Sequence, residues 1–212
     1  MQLAQIDPYG SEQLDRAYGD ISPGEGWVLF GPPIRNRKCG TCRSCCIAVP
    51  VMLDDGDKPA NVRCKHLCSQ GCSIYATRPR PCVAWSCKWL FDEDTSSMRR
   101  PDHGGYIIDP MLDTVLHDGK PFDMIQIWVD EKRPDSHRDP ALRAYLAEKA
   151  RKHRLGCIVR WSSSAGMALI APCLLGDGKG TEWLEAPMVL DTQEGLDAKL
   201  AAVGATRLLA RR

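Results

Sequence analysis

The chain has 212 residues, with 28 Lys and Arg against 27 Asp and Glu, a formal net charge of +1. So even a balance sets up no global field that would draw the protein to nucleic acid or anionic lipid, and no apolar run approaches the roughly 20 residues that cross a bilayer. The length suits one sizeable domain or two small ones, and it carries eleven cysteines, an odd number that no set of intramolecular disulfides can pair completely.

Residues 1–38 hold the turn signals Asp7-Pro8, Ser22-Pro23-Gly24 and Gly31-Pro32-Pro33. They predict an irregular lead-in that packs Trp27, Val28, Leu29 and Phe30 against the body. The opening MQLAQIDPYGSEQLDR has neither a basic nor an apolar leader region, so no secretory signal is visible. The expected compartment is the cytoplasm, where disulfides are rare and clustered thiols hold metal.

Residues 39–98 form a cysteine-rich lobe: nine of the eleven cysteines fall between Cys39 and Cys87. Cys39, Cys42 and Cys45 are spaced C-x2-C-x2-C, and thiolates three residues apart converge on one ion from either a tight turn or a helical turn. Gly40 relieves crowding where the backbone folds back. Cys46 directly follows Cys45, and neighbouring side chains diverge by about 100° on a helix. The pair therefore reads as a branch point between two centres. Cys64, Cys68, Cys72, Cys82 and Cys87 supply enough further thiols for two four-ligand sites. Between Arg35 and Leu90 ten basic residues face three aspartates, a local balance of +7. A four-thiolate site is about −2 whether it holds a divalent ion or an oxidised four-iron cluster, and neighbouring cations offset that charge. The same excess of cations could mark a nucleic-acid footprint, but no recognition helix or stacking aromatics accompany it, so nucleic acid is disfavoured as a partner. Zinc favours two separated C-x2-C knuckles, and the second is missing; the compact triple with distant cysteines beside Pro81 is closer to iron–sulfur ligation.

Within the lobe, Tyr75 is expected to pack while Arg78-Pro79 turns the chain, the alternative being that Arg78 bonds a sulfur or a substrate anion. Trp85 and Trp89, at i and i+4, are expected to cover the centre. His66 is a weaker ligand candidate beside so many thiols. Cys157 and Cys173, outside the lobe among apolar neighbours, read as core residues.

Residues 99–212 read as an α+β region joined with the lobe as one unit. Tyr106–Ile108 is a strand candidate closed by Asp109-Pro110. Thr114–Leu116 and Met124–Val129 are strands joined by a hairpin turn at His117-Asp118-Gly119-Lys120. Asp139-Pro140 opens a helix as N-cap and first helical residue. Leu142, Tyr145, Leu146 and Ala150 recur on one face of it, and Gly156 is expected to stop it. Cys157–Trp161 and Met167–Ala171 form a second hairpin, and a terminal helix follows from Gln193. The fold class predicted is α+β: an irregular, metal-stabilised cysteine-rich lobe packed on a small antiparallel sheet with flanking helices. Asp102, His103 and His117 are polar groups without a catalytic ordering, and the glycines at 104–105 and 176–180 make no nucleotide fingerprint.

The ordered set Cys39-x2-Cys42-x2-Cys45-Cys46, Cys64-Lys-His-Leu67, Cys72-Ser-Ile-Tyr75, Arg78-Pro79, Cys82 and Cys87 resembles the YkgJ-type cysteine-cluster family. That family is a zinc- or iron-chelating CxxCxxCC domain also found in flagellin lysine N-methylase. The resemblance covers about a quarter of the chain and implies Cys39, Cys42, Cys45, Cys46, Cys64, Cys72, Cys82 and Cys87 as metal ligands. Cys68 is extra to the pattern, and Val83 stands where an arginine usually follows the cysteine. Three functional expectations follow. The first is a cytosolic protein carrying an iron–sulfur cluster of the 4Fe-4S type and a second thiolate-bound metal, acting in electron transfer or substrate binding on an unidentified protein partner or substrate. The second is a structural zinc module for protein or nucleic-acid interaction. The third, implied by the resemblance alone, is a metal-dependent protein-modifying enzyme akin to a lysine methylase.

Overall fold

The computed structural model describes residues 4–6, 33–51, 53, 56–69, 71–117, 120–162 and 165–189. In chain order the elements are β1 (Ala4–Ile6), α1 (Cys45–Ala48), β2 (Leu67–Cys68), β3 (Gly71–Cys72), α2 (Arg80–Ala84), α3 (Lys88–Phe91), α4 (Pro101–Gly104), β4 (Tyr106–His117), β5 (Lys120–Val129), α5 (Pro140–His153), β6 (Gly156–Arg160), β7 (Ala165–Ile170) and β8 (Leu184–Val189). The class is α+β, as expected from the sequence. A six-stranded sheet in the order β1-β4-β5-β6-β7-β8 carries the second half, and β2 and β3 form a separate two-stranded ribbon inside the cysteine lobe.

The sheet is antiparallel except where α5 crosses over and brings β6 parallel to β5. β5 from Met124 onward and all of β6 are buried at every position, as strands covered on both faces must be. On one face Ile125, Ile127, Val129 and Val159 meet Leu142, Tyr145 and Leu146 of α5. On the other, Ile107 and Trp128 meet Ala48, Val49 and Ala60 of the cysteine lobe, with Cys45, Trp85 and Cys87 packed against them. The lobe thus lies directly on one end of the sheet.

Helix α5 follows its sequence signals. The Asp139 carboxylate accepts from the Ala141 and Leu142 amides at 2.9 and 3.2 Å, and the four expected apolar positions are its buried residues. It ends at Arg154, which takes the left-handed conformation (φ 56°), and not at Gly156. That glycine sits inside β6, where an added Cβ would collide with Met124 and come within 2.7 Å of Phe122. Its role is a close approach of strands and not a helix stop.

Asp109-Pro110 does not close a strand either. β4 runs on through it with a bulge: Ile108 pairs with Ile127, and the next paired residue, Leu112, faces Ile125. Pro110 has no N–H for the ladder, so the bulge absorbs it. The predicted hairpin between β4 and β5 forms, with His117 opposite Lys120, and so does the β6–β7 hairpin. β8, an outer strand that accommodates Pro187, was not anticipated. The lead-in was expected to be irregular, yet β1 pairs antiparallel with β4 through Ala4, Gln5 and Ile6. The packing expected of Trp27–Phe30 and the helix expected from Gln193 lie outside the described residues. Among the described residues no helix is long and apolar enough to cross a membrane.

Candidate metal centre

The first cysteine loop is a turn followed by a single helical turn. The Cys42 amide bonds the Cys39 carbonyl at 2.8 Å, and Gly40 at the corner takes φ +53°, which favours glycine. Arg100 holds this loop from outside: its guanidinium reaches Thr41 Oγ1 at 3.1 Å and the Cys39 carbonyl at 3.4 Å while pairing with Asp102 at 2.7 Å. The chain then enters α1, where Cys45 and Cys46 are consecutive and so point about 100° apart.

Cys45 turns toward the sheet. Together with Trp85 and Cys87 it packs against Ala48, Val49, Ala60, Ile107 and Trp128. Cys46 belongs to the opposite flank, where the Cys64 amide bonds its carbonyl at 2.9 Å. The segment between them folds back over α1 as a short β-bridge, Val51 opposite Lys58. Cys72 faces Leu67 across the β2–β3 ribbon, and Cys82 lies in α2.

The thiols act on one another throughout the lobe. Burial, with the charges of Cys39 and Cys42, pushes Cys87 up to about 12 against hydrogen bonds from the Leu90 and Trp89 amides. Burial, with repulsion from Cys46, Cys64 and Cys72, lifts Cys82 to about 11. Cys39 is raised by burial and by the charges of Cys42 and Cys46. Cys46 thus bears on Cys39, Cys45 and Cys82 alike. Cys45 donates a hydrogen bond to Cys46, which, with help from Lys58, Arg78 and Arg43, holds Cys46 down to about 7. The same bond and its burial push Cys45 well up.

All eleven cysteines are free thiols. Among the described residues no three His, Cys, Asp or Glu side chains are gathered closely enough to hold a metal ion. Holding a metal therefore requires sulfurs of the lobe to draw together. Thiols are the donors of a soft or borderline metal, and cations stand beside Cys39, Cys46 and Cys82.

The other candidates separate clearly. Cys68 ends β2 opposite Gly71 in a tight ribbon. His66 is half-buried, and its backbone carbonyl holds the Ser73 amide. Tyr75 does not pack into the core: it is 61% exposed and carries the Arg78 guanidinium 3.9 Å above its ring. Arg78 is thereby held where its charge favours ionised Cys39, Cys46 and Cys82. Trp85 covers Cys45 and Cys87, but Trp89 does not join it. Extended backbone at Trp85 and Cys87 breaks the i, i+4 relation, and Trp89 packs toward α5 instead. Cys157 is 1% exposed in the core under α5, as expected, whereas Cys173 is only half-buried in a surface turn. Asp102 is held low by Arg100, and His103 is exposed beside it.

Two features gave no sequence signal. Asp109, fully buried in the β4 bulge, accepts from the Trp85 indole at 3.1 Å and the Trp128 indole at 2.9 Å. This joins the lobe to the sheet next to Cys87. Lys58 is 6% exposed and buried against α1; in the sequence, beside Asp57 and Pro59, it reads as an ordinary solvated residue. A cleft of about 190 Å³ opens alongside α1, lined by Thr41, Arg43, Ser44, Ile47, Asp102 and Arg133. No protein-family model, no curated protein and no solved structure matches this chain.

Proposed function

We propose that the chain is a cytoplasmic metal-cluster protein in which Cys39, Cys42, Cys45, Cys46, Cys64, Cys72, Cys82 and Cys87 hold metal as thiolates. One centre carries an iron–sulfur cluster of the 4Fe-4S type, and a second set of thiols carries another metal. The observation that supports this reading is that all eight are free thiols of one lobe whose charges repel one another, raising Cys39, Cys45, Cys82 and Cys87 beyond what burial does. The resemblance of the cysteine spacing to the YkgJ-type family points the same way. A cluster of this kind, when bound, accepts and releases single electrons.

The chain's own residues shape how that would be used. Trp85, Trp128 and Ile107 keep water from the Cys45–Cys87 side. Arg43, Arg78 and Arg100 flank the outer thiols and offset the negative charge of ligated sulfur. The cleft beside α1 gives a small polar molecule or a loop of a partner protein access to the lobe. Electron transfer to a protein partner, or binding of a small substrate there, is the role this arrangement serves.

The test is the colour of the protein purified without oxygen. A brown protein with sulfur-to-iron charge-transfer absorption that bleaches on reduction is the expected result. A colourless protein with stoichiometric zinc would overturn the iron assignment in favour of a structural zinc module.

A further inference from the structure

The cleft beside α1 is small and has two kinds of lining. Its volume of about 190 Å³ is that of roughly six waters in the liquid, which suits a ligand of about that many non-hydrogen atoms. Ala48, Ile107 and Trp128 are its buried lining, and partly exposed Ile47 stands at its edge. The rest of the lining is polar, and most of the charges in it are already matched. Asp102 takes the Arg100 guanidinium at 2.7 Å on each carboxylate oxygen. Asp130 pairs with Arg133 at 3.1 Å, and Arg133 also donates to the His103 and Asp102 carbonyls, both at 2.9 Å. Arg43 differs. Its Nη2 donates to the Ser69 carbonyl and its Nε is enclosed without a partner. Among the described residues its Nη1 meets no acceptor and the guanidinium meets no carboxylate, so Nη1 is the donor left for a ligand. Ser44 beside it accepts from the Cys42 thiol at 3.7 Å and keeps its own hydroxyl proton to donate.

We infer that the cleft binds a short monocarboxylate, held by Arg43 and Ser44 with its hydrocarbon chain against Ile47, Ile107 and Trp128. This names the substrate class of the proposed function, and it rests on that reading of the cleft as the lobe's substrate site. The pairing of charges decides the sign of the ligand. A cation would find both acids taken by arginines, whereas an anion finds a guanidinium without a carboxylate. The apolar lining decides its kind. Phosphate has no carbon body to place there, and its several acceptor oxygens need more donors than Arg43 and Ser44 supply. A carboxylate on a short chain uses both parts of the cleft. Arg43 and Ser44 are also the two residues between Cys42 and Cys45, so the ligand would lie against the loop that carries the candidate thiols.

The experiment is calorimetric titration of the full-length chain, purified without oxygen, with butyrate as the probe. Saturable binding with a dissociation constant of about 1 mM is the expected result. Butyramide, butylammonium and inorganic phosphate should each bind at least about tenfold more weakly, since a hydrogen bond to a charged group is lost in each case or has no chain to support it. Arg43→Gln should weaken butyrate by about tenfold or more, while Arg43→Lys, which keeps the charge, should recover most of that loss. Arg63→Gln, which removes an exposed arginine of the lobe outside the cleft lining, should leave the affinity within about twofold. Failure of butyrate to saturate by roughly 50 mM, or equal binding of any of the other three probes, would overturn the inference. So would an Arg43→Gln chain that binds as tightly, or equal weakening by Arg43→Gln and Arg63→Gln, which marks general attraction to a basic surface. If Arg43→Gln does not fold, the comparison of butyrate with butyramide on the wild type decides. Iron-containing protein that does not bind butyrate would overturn this inference alone, and metal-free protein that binds it would overturn the metal reading alone.

Discussion

The Cys45 thiol donates to the Cys46 sulfur, so one proton shared across a single peptide unit sets two neighbouring groups apart. The sign of the consequence can be worked out. Cys46, held down to about 7 against an ordinary 9.0, adds stability that is fully present above pH 9 and is lost as pH falls through 7. Cys82 and Cys87, raised to about 11 and about 12, act oppositely. The unfolded chain releases their protons from about pH 9 upward while the folded chain keeps them, so stability is lost as pH rises through 11 and 12. In the metal-free, reduced protein the denaturation midpoint should therefore fall steadily above pH 9. In the metal-loaded protein these sulfurs are already ionised, and that alkaline slope should disappear. Equal slopes in both forms would show that these thiols do not carry the metal.

At the scale of elements, the joint between lobe and sheet is Asp109. Its carboxylate, in the β4 bulge, takes the Trp85 indole of the lobe and the Trp128 indole of β5. Asp109→Ala leaves two largely buried N–H groups without this acceptor, at about 1–3 kcal/mol each, and should lower the unfolding free energy by about 3 kcal/mol. A change below about 0.5 kcal/mol, the range of an ordinary surface substitution, would remove Asp109 from this role. The sequence reveals such elements unevenly. α5 could be read off because its cap, its first proline and its apolar spacing are all local. Both hairpins could be read for the same reason. The bulge could not, because Asp109-Pro110 carries the same signal whether a strand ends or bends there. Nor could the parallel pairing of β5 with β6, which depends on α5 returning the chain to the far side of the sheet. Gly156 was mistaken for the helix stop because its close contact with Met124 and Phe122 is tertiary.

Across the whole molecule, the sheet and α5 form a frame against which the cysteine lobe lies, with Cys45 and Cys87 packed on Ile107 and Trp128. The crowding of thiols into one lobe was legible because it is a matter of composition and spacing alone, and all of them are free in the structure. Lys58 was not: a buried cation is recognised by the carbonyls that fold around it, and those come from Ile47, Pro59 and Val62. The sharpest test of the account is the inorganic content of the full-length chain purified without oxygen, with iron, zinc and acid-labile sulfide counted per polypeptide. The account predicts iron and sulfide in cluster proportion, with metal lost in Cys46→Ser and retained in Cys157→Ser. A folded protein containing neither iron nor zinc, or the same metal loss in both variants, would contradict it.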